Sequence, residues 1–299
     1  MDKFIRVNKK NPCPQCGGSS WCCVFKDGTA VLCQRDSTGR PFVNARGETG
    51  WIHKLGPDAP RPAPSAHRDR PAPKRDVGTW ERLASKFALQ AVPGDVRALA
   101  GRLGVTVGSL QRLGIGQAAC SELYLNRDPR RVFTFPMRNE RAECIGIRTR
   151  HDDGAKMSMK GSTPGLFVPD AGMPEQLTRV IVCEGASDVA AALDLGFYAL
   201  GRSSCQGEVP MLVKMLNRIE VVLIGDCDEA KKRRDGTTFK PGQEGAFALA
   251  DALTRAKIVT RVVLPYKGKD LREWKALGAT GPVIECAIRN TEPWTVPGR

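Results

Sequence analysis

Carboxylates stand at the ends of two apolar runs. Residues 179–183 lead into Glu184-Gly185-Ala186-Ser187-Asp188, and residues 220–225 lead into Asp226-Cys227-Asp228. A short β-branched run bounded by turn signals reads as a buried parallel strand. In open α/β sheets, ligands collect beyond the carboxyl ends of such strands. Glu184 on one tip and Asp226 and Asp228 on another would then share a crevice. Three carboxylates at one edge repel one another unless cations lie between them. Their hard oxygens suit Mg²⁺ or Mn²⁺, the metals of phosphoryl and nucleotidyl transfer. Asp188 is an accessory candidate whose plainer role is to cushion the start of the next helix. A third strand end at 262–265 leads to Lys267-Gly268-Lys269-Asp270. It offers Lys269 as a phosphate contact and Asp270 as a further accessory acid.

The second chemical cluster is made of sulfur. Cys13 and Cys16 bracket a tight turn whose thiolates can grip one face of Zn²⁺. Cys22 and Cys33 flank an apolar stretch with Asp27-Gly28 at its centre. That stretch reads as a hairpin that returns Cys33 beside Cys22. Neighbouring residues of a strand point to opposite faces, so Cys22 or Cys23 is the third ligand, but not both. With Cys22, the set is Cys13, Cys16, Cys22 and Cys33, one structural zinc without histidine. So small a segment needs the metal to fold. Trp21, next to it, is either hairpin packing or a platform on which a base could stack.

These groups need elements to carry them. After position 173, apolar strands at 180–183, 197–200, 220–225 and 260–264 alternate with helical patterns at 187–195, 209–217, 243–256 and 271–277. That is a mainly parallel α/β sheet with helices on both faces. Residues 131–136 and 142–148 read as strands joined by a turn at Asn139-Glu140. Residues 79–116 are helical, and the stretch 99–110 is either a helix-turn-helix for DNA or a helical pair packed on the core, the preferred reading. Residues 57–78 carry six prolines and form a polyproline linker reaching up to about 60 Å at ~3.1 Å per residue. The expected order is therefore a β zinc module at 1–56, the linker at 57–78, a mixed α+β basic subdomain at 79–170, the α/β catalytic domain at 171–280 and a C-terminal tail at 281–299.

Charge follows this order. The net charge is +14, made of +5 in residues 1–56, +2 in 57–78, +5 in 79–170 and +2 in 171–299. A basic body around an acidic pocket suits a polyanion held against a metal site. No run approaches the roughly 18 apolar residues of a membrane span. The first residues lack the apolar core of a signal peptide, so a cytoplasmic, reducing location is expected and the 11 cysteines are not a disulfide framework.

Glu184-Gly185 after one strand and Asp226-x-Asp228 after another resemble the Toprim domain. The order of zinc ribbon, linker, basic segment and Toprim pattern resembles bacterial and phage DNA primases over nearly the whole chain. Residues 135–138, 145–150, Lys156 and 161–167 are similar to the primase stretch whose Arg and Lys line the template and nucleotide groove. Residues 264–270 are similar to a late motif of phage primases. The resemblance implies RNA primer synthesis on single-stranded DNA by two-metal chemistry at Glu184, Asp226 and Asp228. It also implies phosphate tracking by Arg138, Arg148, Arg150, Lys156 and Lys160. Ribonucleoside triphosphates and a separate replicative helicase are the implied partners. The alternatives are an idle primase-like protein that binds single-stranded DNA, or a Toprim nuclease. The sequence departs from the pattern at 231–240, a basic insertion that either holds a triphosphate or template or is simply solvated. No Gly-x₄-Gly-Lys-Ser/Thr loop is present, so no helicase motor is expected.

Overall fold

A computed structural model of the chain describes residues 4–43, 49–56, 76–124, 130–204, 207–232 and 237–296. The chain divides into two compact units, residues 1–70 with 228–244, and residues 71–227 with 245–299. Most of the expected linker, 57–75, lies outside the described residues. Its last positions do not: the Asp76 side chain accepts from Thr79 N at 2.7 Å and opens a helix at Val77. An Asp at the N-cap satisfies an otherwise orphaned amide, so the helix starts before the expected boundary at 78.

The first unit begins with an antiparallel sheet. Its strands are β1 (Phe4–Arg6), β2 (Cys23–Phe25), β3 (Ala30–Cys33), β4 (Arg40–Val43) and β5 (Thr49–Lys54), in the order β1-β2-β3-β5-β4. The β2–β3 turn is built at Asp27-Gly28. Asp27 Oδ1 accepts from both the amide and the hydroxyl of Thr29, and Gly28 takes φ +72°, a left-handed conformation that costs glycine little. The apolar core here is small: Val7, Val24 and Val31 with Cys13, Cys22 and Cys33.

The second unit opens with α1 (Val77–Leu89), α2 (Pro93–Leu103) and α3 (Val107–Arg112). Leu99, Leu103 and Leu110 of α2 and α3 are buried in the main core. The 99–110 stretch is thus a packed helical pair. There follow β6 (Gly116–Ala119), α4 (Cys120–Tyr124), β7 (Arg131–Arg138), β8 (Cys144–Arg150), β9 (Lys156–Ser158) and β10 (Leu166–Phe167). Next come β11 (Arg179–Glu184), α5 (Ala186–Asp194), β12 (Ala199–Arg202), α6 (Val209–Met215) and β13 (Glu220–Ile224). A short hairpin, β14 (Lys231–Lys232) and β15 (Thr238–Phe239), belongs to the first unit and holds the described ends of the basic insertion. The chain continues with α7 (Pro241–Arg255), β16 (Thr260–Val263), α8 (Leu271–Ala276) and α9 (Gly281–Arg289).

Among the described residues, nine strands form one sheet in the order β16-β13-β11-β12-β10-β7-β8-β9, with β6 on β7. The four strands β16, β13, β11 and β12 are parallel; β10, β7, β8 and β9 are antiparallel. The sheet runs without a break across position 170. Strand alternation explains why helices cover both faces of the parallel half. Ile181, Cys183, Val222 and Ile224 pack with α5, α8 and α9, while Val180, Val182, Val221 and Leu223 pack with Leu212 of α6 and Leu249 and Leu253 of α7.

The expected tail at 281–299 needs correction. Ile284, Ala287 and Ile288 recur at helical spacing, and burying them places α9 in the main core. Beyond it, Trp294 N donates to Thr260 O at 2.7 Å, covering the open edge of β16. The Trp294 indole stacks on Phe247 and donates to Asp251.

Candidate active site

In the parallel half, the strand ends gather acids. Glu184 is the last residue of β11, and Asp226 follows the neighbouring β13, with Val182 opposite Leu223 in the register. Gly185 then turns the chain into α5 at φ +97°, a value side chains resist. A Cβ there would stand 3.6 Å from Lys156 Nζ and 3.9 Å from Asp188 Oδ2. Asp188, in the first turn of α5, is buried. Its Oδ1 accepts from the Arg272 amide at 3.1 Å, and its Oδ2 lies 3.4 Å from Ser187 Oγ. Asp270 caps α8, with Oδ1 accepting from Glu273 N at 2.7 Å.

The fields of these groups locate them together. Burial, then the like charge of Asp270, pushes the Asp188 carboxyl up to about 7. Beneath them lies Cys183. Its thiol is raised first by burial and then by the negative charges of Asp188, Asp226 and Asp270. Asp188 and Asp270, taken from sequence as accessories, therefore stand with Asp226 in one acidic cluster. Asp228 falls in the first unit, where its Oδ2 accepts from Gly242 N at 3.0 Å. Among the described residues, these carboxylates do not converge closely enough to form a ready-made group of three metal ligands.

Basic residues face the acids from the antiparallel half. Arg148 and Arg150 share a face of β8, opposite Ser158 and Lys156 of β9. Arg148 Nη1 donates to Ser158 Oγ at 3.0 Å. The half-buried Arg150 is made less basic by burial and by repulsion from Arg272 and Arg102, while Asp188 opposes that shift. Lys156 lies close enough to lower Asp188 in turn. Lys160 is exposed just past β9. Lys269 binds through its backbone: its carbonyl accepts from Cys227 N at 2.6 Å and its amide donates to Glu273 Oε2 at 2.9 Å. Those bonds join the loops after β13 and β16.

Arg138 does not join this basic face. It is 9% exposed and donates to Glu81 Oε1 at 2.7 Å and to the Ala142 carbonyl at 2.6 Å. Glu81 also accepts from Cys144 N, so the pair binds α1 to the β7–β8 turn. A carboxylate holds the Arg138 guanidinium in this structure.

Three residues at this edge were not legible from spacing. Arg202 ends β12 directly opposite Glu184 and is buried. Arg272 lies two residues past Asp270. Glu208 is 6% exposed, at φ +66°, with Oε1 accepting from Ser203 Oγ at 2.6 Å and Oε2 buried without a hydrogen bond. Burial pushes the Glu208 carboxyl up to about 7, against hydrogen bonding from Ser203 and the attraction of Arg202 and Arg148. A lone Glu ahead of a proline carries no sequence signal of such a role.

In the first unit, Cys13, Cys16, Cys22 and Cys33 bring their sulfurs within 4.8 Å of one another. The Cys16–Cys22 and Cys22–Cys33 separations are 3.7 and 3.8 Å. A tetrahedron with Zn–S of about 2.3 Å has edges of about 3.8 Å, so the quartet fits zinc. Amides of Gln34 and Arg35 donate to the Cys22 and Cys33 sulfurs at 3.4 Å. The thiols share protons: bonding from Cys13 drives Cys16 well down, while Cys13 and Cys16 drive Cys22 and Cys33 up. All four ionise together only around a dication. Cys23 pairs with Leu32 in the β2–β3 ladder, outside this quartet, so Cys22 rather than Cys23 joins the other three sulfurs. Trp21 is 57% exposed beside it.

No family model matches this chain, and no curated protein matches it. Solved structures do. A structure of the DnaG catalytic core aligns over 73% of this chain and 80% of its own, with TM-score 0.56 and 15% identity. A DnaG primase catalytic domain bound to single-stranded DNA gives TM-score 0.55 and 16% identity over 73% and 78% of the two chains. The Aquifex aeolicus primase, comprising zinc-binding and RNA polymerase domains, gives TM-score 0.57 and 13% identity, covering 73% of this chain and 61% of that one. The chain thus has the fold of bacterial primase catalytic cores. Among the described residues, no helix is long and apolar enough to cross a membrane.

Proposed function

We propose that this protein is a DNA primase that makes short RNA primers on single-stranded DNA for replication in the cytoplasm, with its parallel half acting as a Toprim domain. One observation carries the reading: an acidic strand-end edge (Glu184, Asp188, Asp226) meets a basic strand face (Arg150, Lys156) within a sheet of primase-core fold. Polymerising nucleotides on a template needs both, one for metal and one for phosphate.

Glu184 and Asp226, with Asp228 two residues further on, offer the hard oxygen donors that Mg²⁺ or Mn²⁺ takes. Such ions, when bound, supply Lewis-acid charge to the α-phosphate and its leaving group. The chain's own groups do the rest. Arg148, Arg150, Lys156, Lys160 and Lys269 hold the triphosphate and template phosphates. The attacking 3′-hydroxyl loses its proton as the O–P bond forms and pyrophosphate departs, and Glu184, where it is not a metal donor, is the carboxylate that takes it. The zinc module, on its proline-rich tether, holds template near the site, with Trp21 stacking on a base. The basic 231–240 insertion adds phosphate contacts, and a separate helicase delivers single strands.

The test is de novo labelling with four ribonucleotides, Mg²⁺ or Mn²⁺ and varied single-stranded templates. Alkali-labile, template-dependent product is expected, and Asp226→Ala should lower it at least 100-fold. Template binding without any incorporation would favour the idle binding protein, and template degradation the nuclease.

A further inference from the structure

We propose that Arg35 guards the zinc quartet: its guanidinium lies against Cys16, the least buried of the four ligands, and slows both attack on that sulfur by electrophiles and the metal loss that follows. The inference rests on the zinc reading of the quartet and is independent of primer synthesis.

The four cysteines are not equally covered. Cys13 is 1% exposed and Cys22 and Cys33 0%, whereas Cys16 is only partly buried. Zinc held by four thiolates keeps surplus negative charge. Arg35 brings a positive charge to the less covered side. Its Nη1 donates to Cys16 Sγ at 3.9 Å and to Ser20 O at 3.0 Å, and its Nη2 donates to Ser20 Oγ at 3.0 Å. The planar fork is thus held by two bonds to one residue, which fixes where the charge lies. The Arg35 amide also donates to Cys33 Sγ at 3.4 Å, so both ends of the residue reach ligand sulfurs.

Gly18 leaves the room this group needs. A Cβ built on it would stand 1.7 Å from Arg35 Nη1 and 2.8 Å from Arg35 Cζ. The clash is with the far end of a flexible side chain, so a methyl group there would push the guanidinium off Cys16 and leave the backbone in place. What the guanidinium does follows from thiolate chemistry. An electrophile such as an alkyl iodide is attacked by a sulfur lone pair. The S–C bond forms, iodide leaves, and the Zn–S bond breaks as the thiolate becomes a neutral thioether. A hydrogen bond and a positive charge at the sulfur draw off the electron density that this step needs. Because metal binding supplies folding free energy to so small a sheet, losing one ligand would endanger the whole module.

The test adds limiting iodoacetamide to the zinc-loaded full chain at neutral pH. Peptide mass spectrometry follows alkylation at each cysteine, and a chromogenic chelator follows zinc release. In the natural chain, Cys16 should be the first of the quartet to be alkylated. Arg35→Gln should speed Cys16 alkylation and zinc release together by about tenfold, through loss of the nearby positive charge. Cys286, exposed in the other unit, should react at an unchanged rate. Arg35→Lys keeps the charge without the fork and should fall between. Gly18→Ala should match Arg35→Gln with the arginine still present, and the double variant should be no faster than either alone. If Arg35→Gln fails to load zinc, Gly18→Ala decides the matter by itself. Natural rates in zinc-loaded variants would overturn the proposal and leave the zinc reading standing. An equal rise at all four sulfurs would also overturn it, since that marks a loosened fold. A natural chain that holds no zinc would sink the zinc reading and the proposal with it.

Discussion

Glu208 puts a carboxyl where water hardly reaches. Among the described residues, Ser203 Oγ is the side-chain donor to its Oε1, and its Oε2 is buried without a hydrogen bond. Burial therefore raises it from the ordinary 4.5 to about 7. A carboxyl with a raised folded value holds its proton more tightly in the native state. Its stabilising contribution is full below pH 4.5 and is lost as pH climbs to about 7. The loss is on the order of 2–3 kcal/mol. Glu208→Gln keeps an acceptor for Ser203 and has no charge to bury. In metal-free protein, the natural chain should lose more stability between pH 5 and pH 8 than the variant does, by about 2 kcal/mol. Paired urea titrations at the two pH values measure this, and equal losses in both proteins would contradict it. Glu208 also shows what spacing could not reveal. Glu184 and Asp226 were legible because each ends an apolar run. Arg272 gains its surroundings from chain remote in sequence, reaching Asp188 across 84 positions.

At the scale of elements, the alternation after position 173 was readable because buried parallel strands are nearly pure apolar runs. The strand expected at 220–225 is found at Glu220–Ile224, and the helix expected at 243–256 at Pro241–Arg255. The strand expected at 197–200 is displaced to Ala199–Arg202. Phe197 looks like strand sequence, yet its amide bonds Ala192 O after Gly196 turns at φ +88°, which ends α5. The opposite ends of the same strands carry no apolar signal but hold a charge network. Glu220 at the start of β13 accepts from Arg179 of β11 at 2.6 Å and from Arg261 of β16 at 2.7 Å. Arg179 also donates to both oxygens of Glu285 on α9 at 3.0 Å. Burial opposes ionisation of Glu220, but the hydrogen bonds from Arg261 and Arg179 outweigh it and hold the group below its ordinary value. Its contribution is present above the ordinary carboxylate range and lost as pH falls through the lowered value. Glu220→Gln should cost about 1–2 kcal/mol near pH 7 and progressively less toward pH 3, because the pairs are partly exposed. A shift of urea midpoint without a change of slope would report it. A variant as stable as the natural chain at pH 7 would show the network to be energetically idle.

At the scale of the molecule, the two units differ in what holds them. The second has continuous apolar cores on both faces of a long sheet. Among the described residues, the antiparallel sheet of the first has a buried cluster of three valines and three cysteines. A core that small does not offset the conformational entropy of ordering its strands. The cysteine quartet supplies the missing term, because metal binding to a site formed only on folding is itself folding free energy. Removing zinc with a strong chelator should therefore melt β1–β5 and leave the second unit standing. Two readouts separate the units. Thiol titration should find Cys13, Cys16, Cys22 and Cys33 newly reactive, while Cys144 and Cys183, both buried in the second unit, stay protected. The main thermal transition should shift by less than about 2 °C, since a buried core elsewhere sets it. Cys13→Ser should reproduce the chelated state without chelator. Loss of Cys183 protection on chelation would show instead that the first unit stabilises the second. With the sheet intact, the zinc-stripped protein, once freed of chelator, should bind single-stranded DNA more weakly than the zinc-loaded protein, which tests the template-holding role proposed for the ribbon.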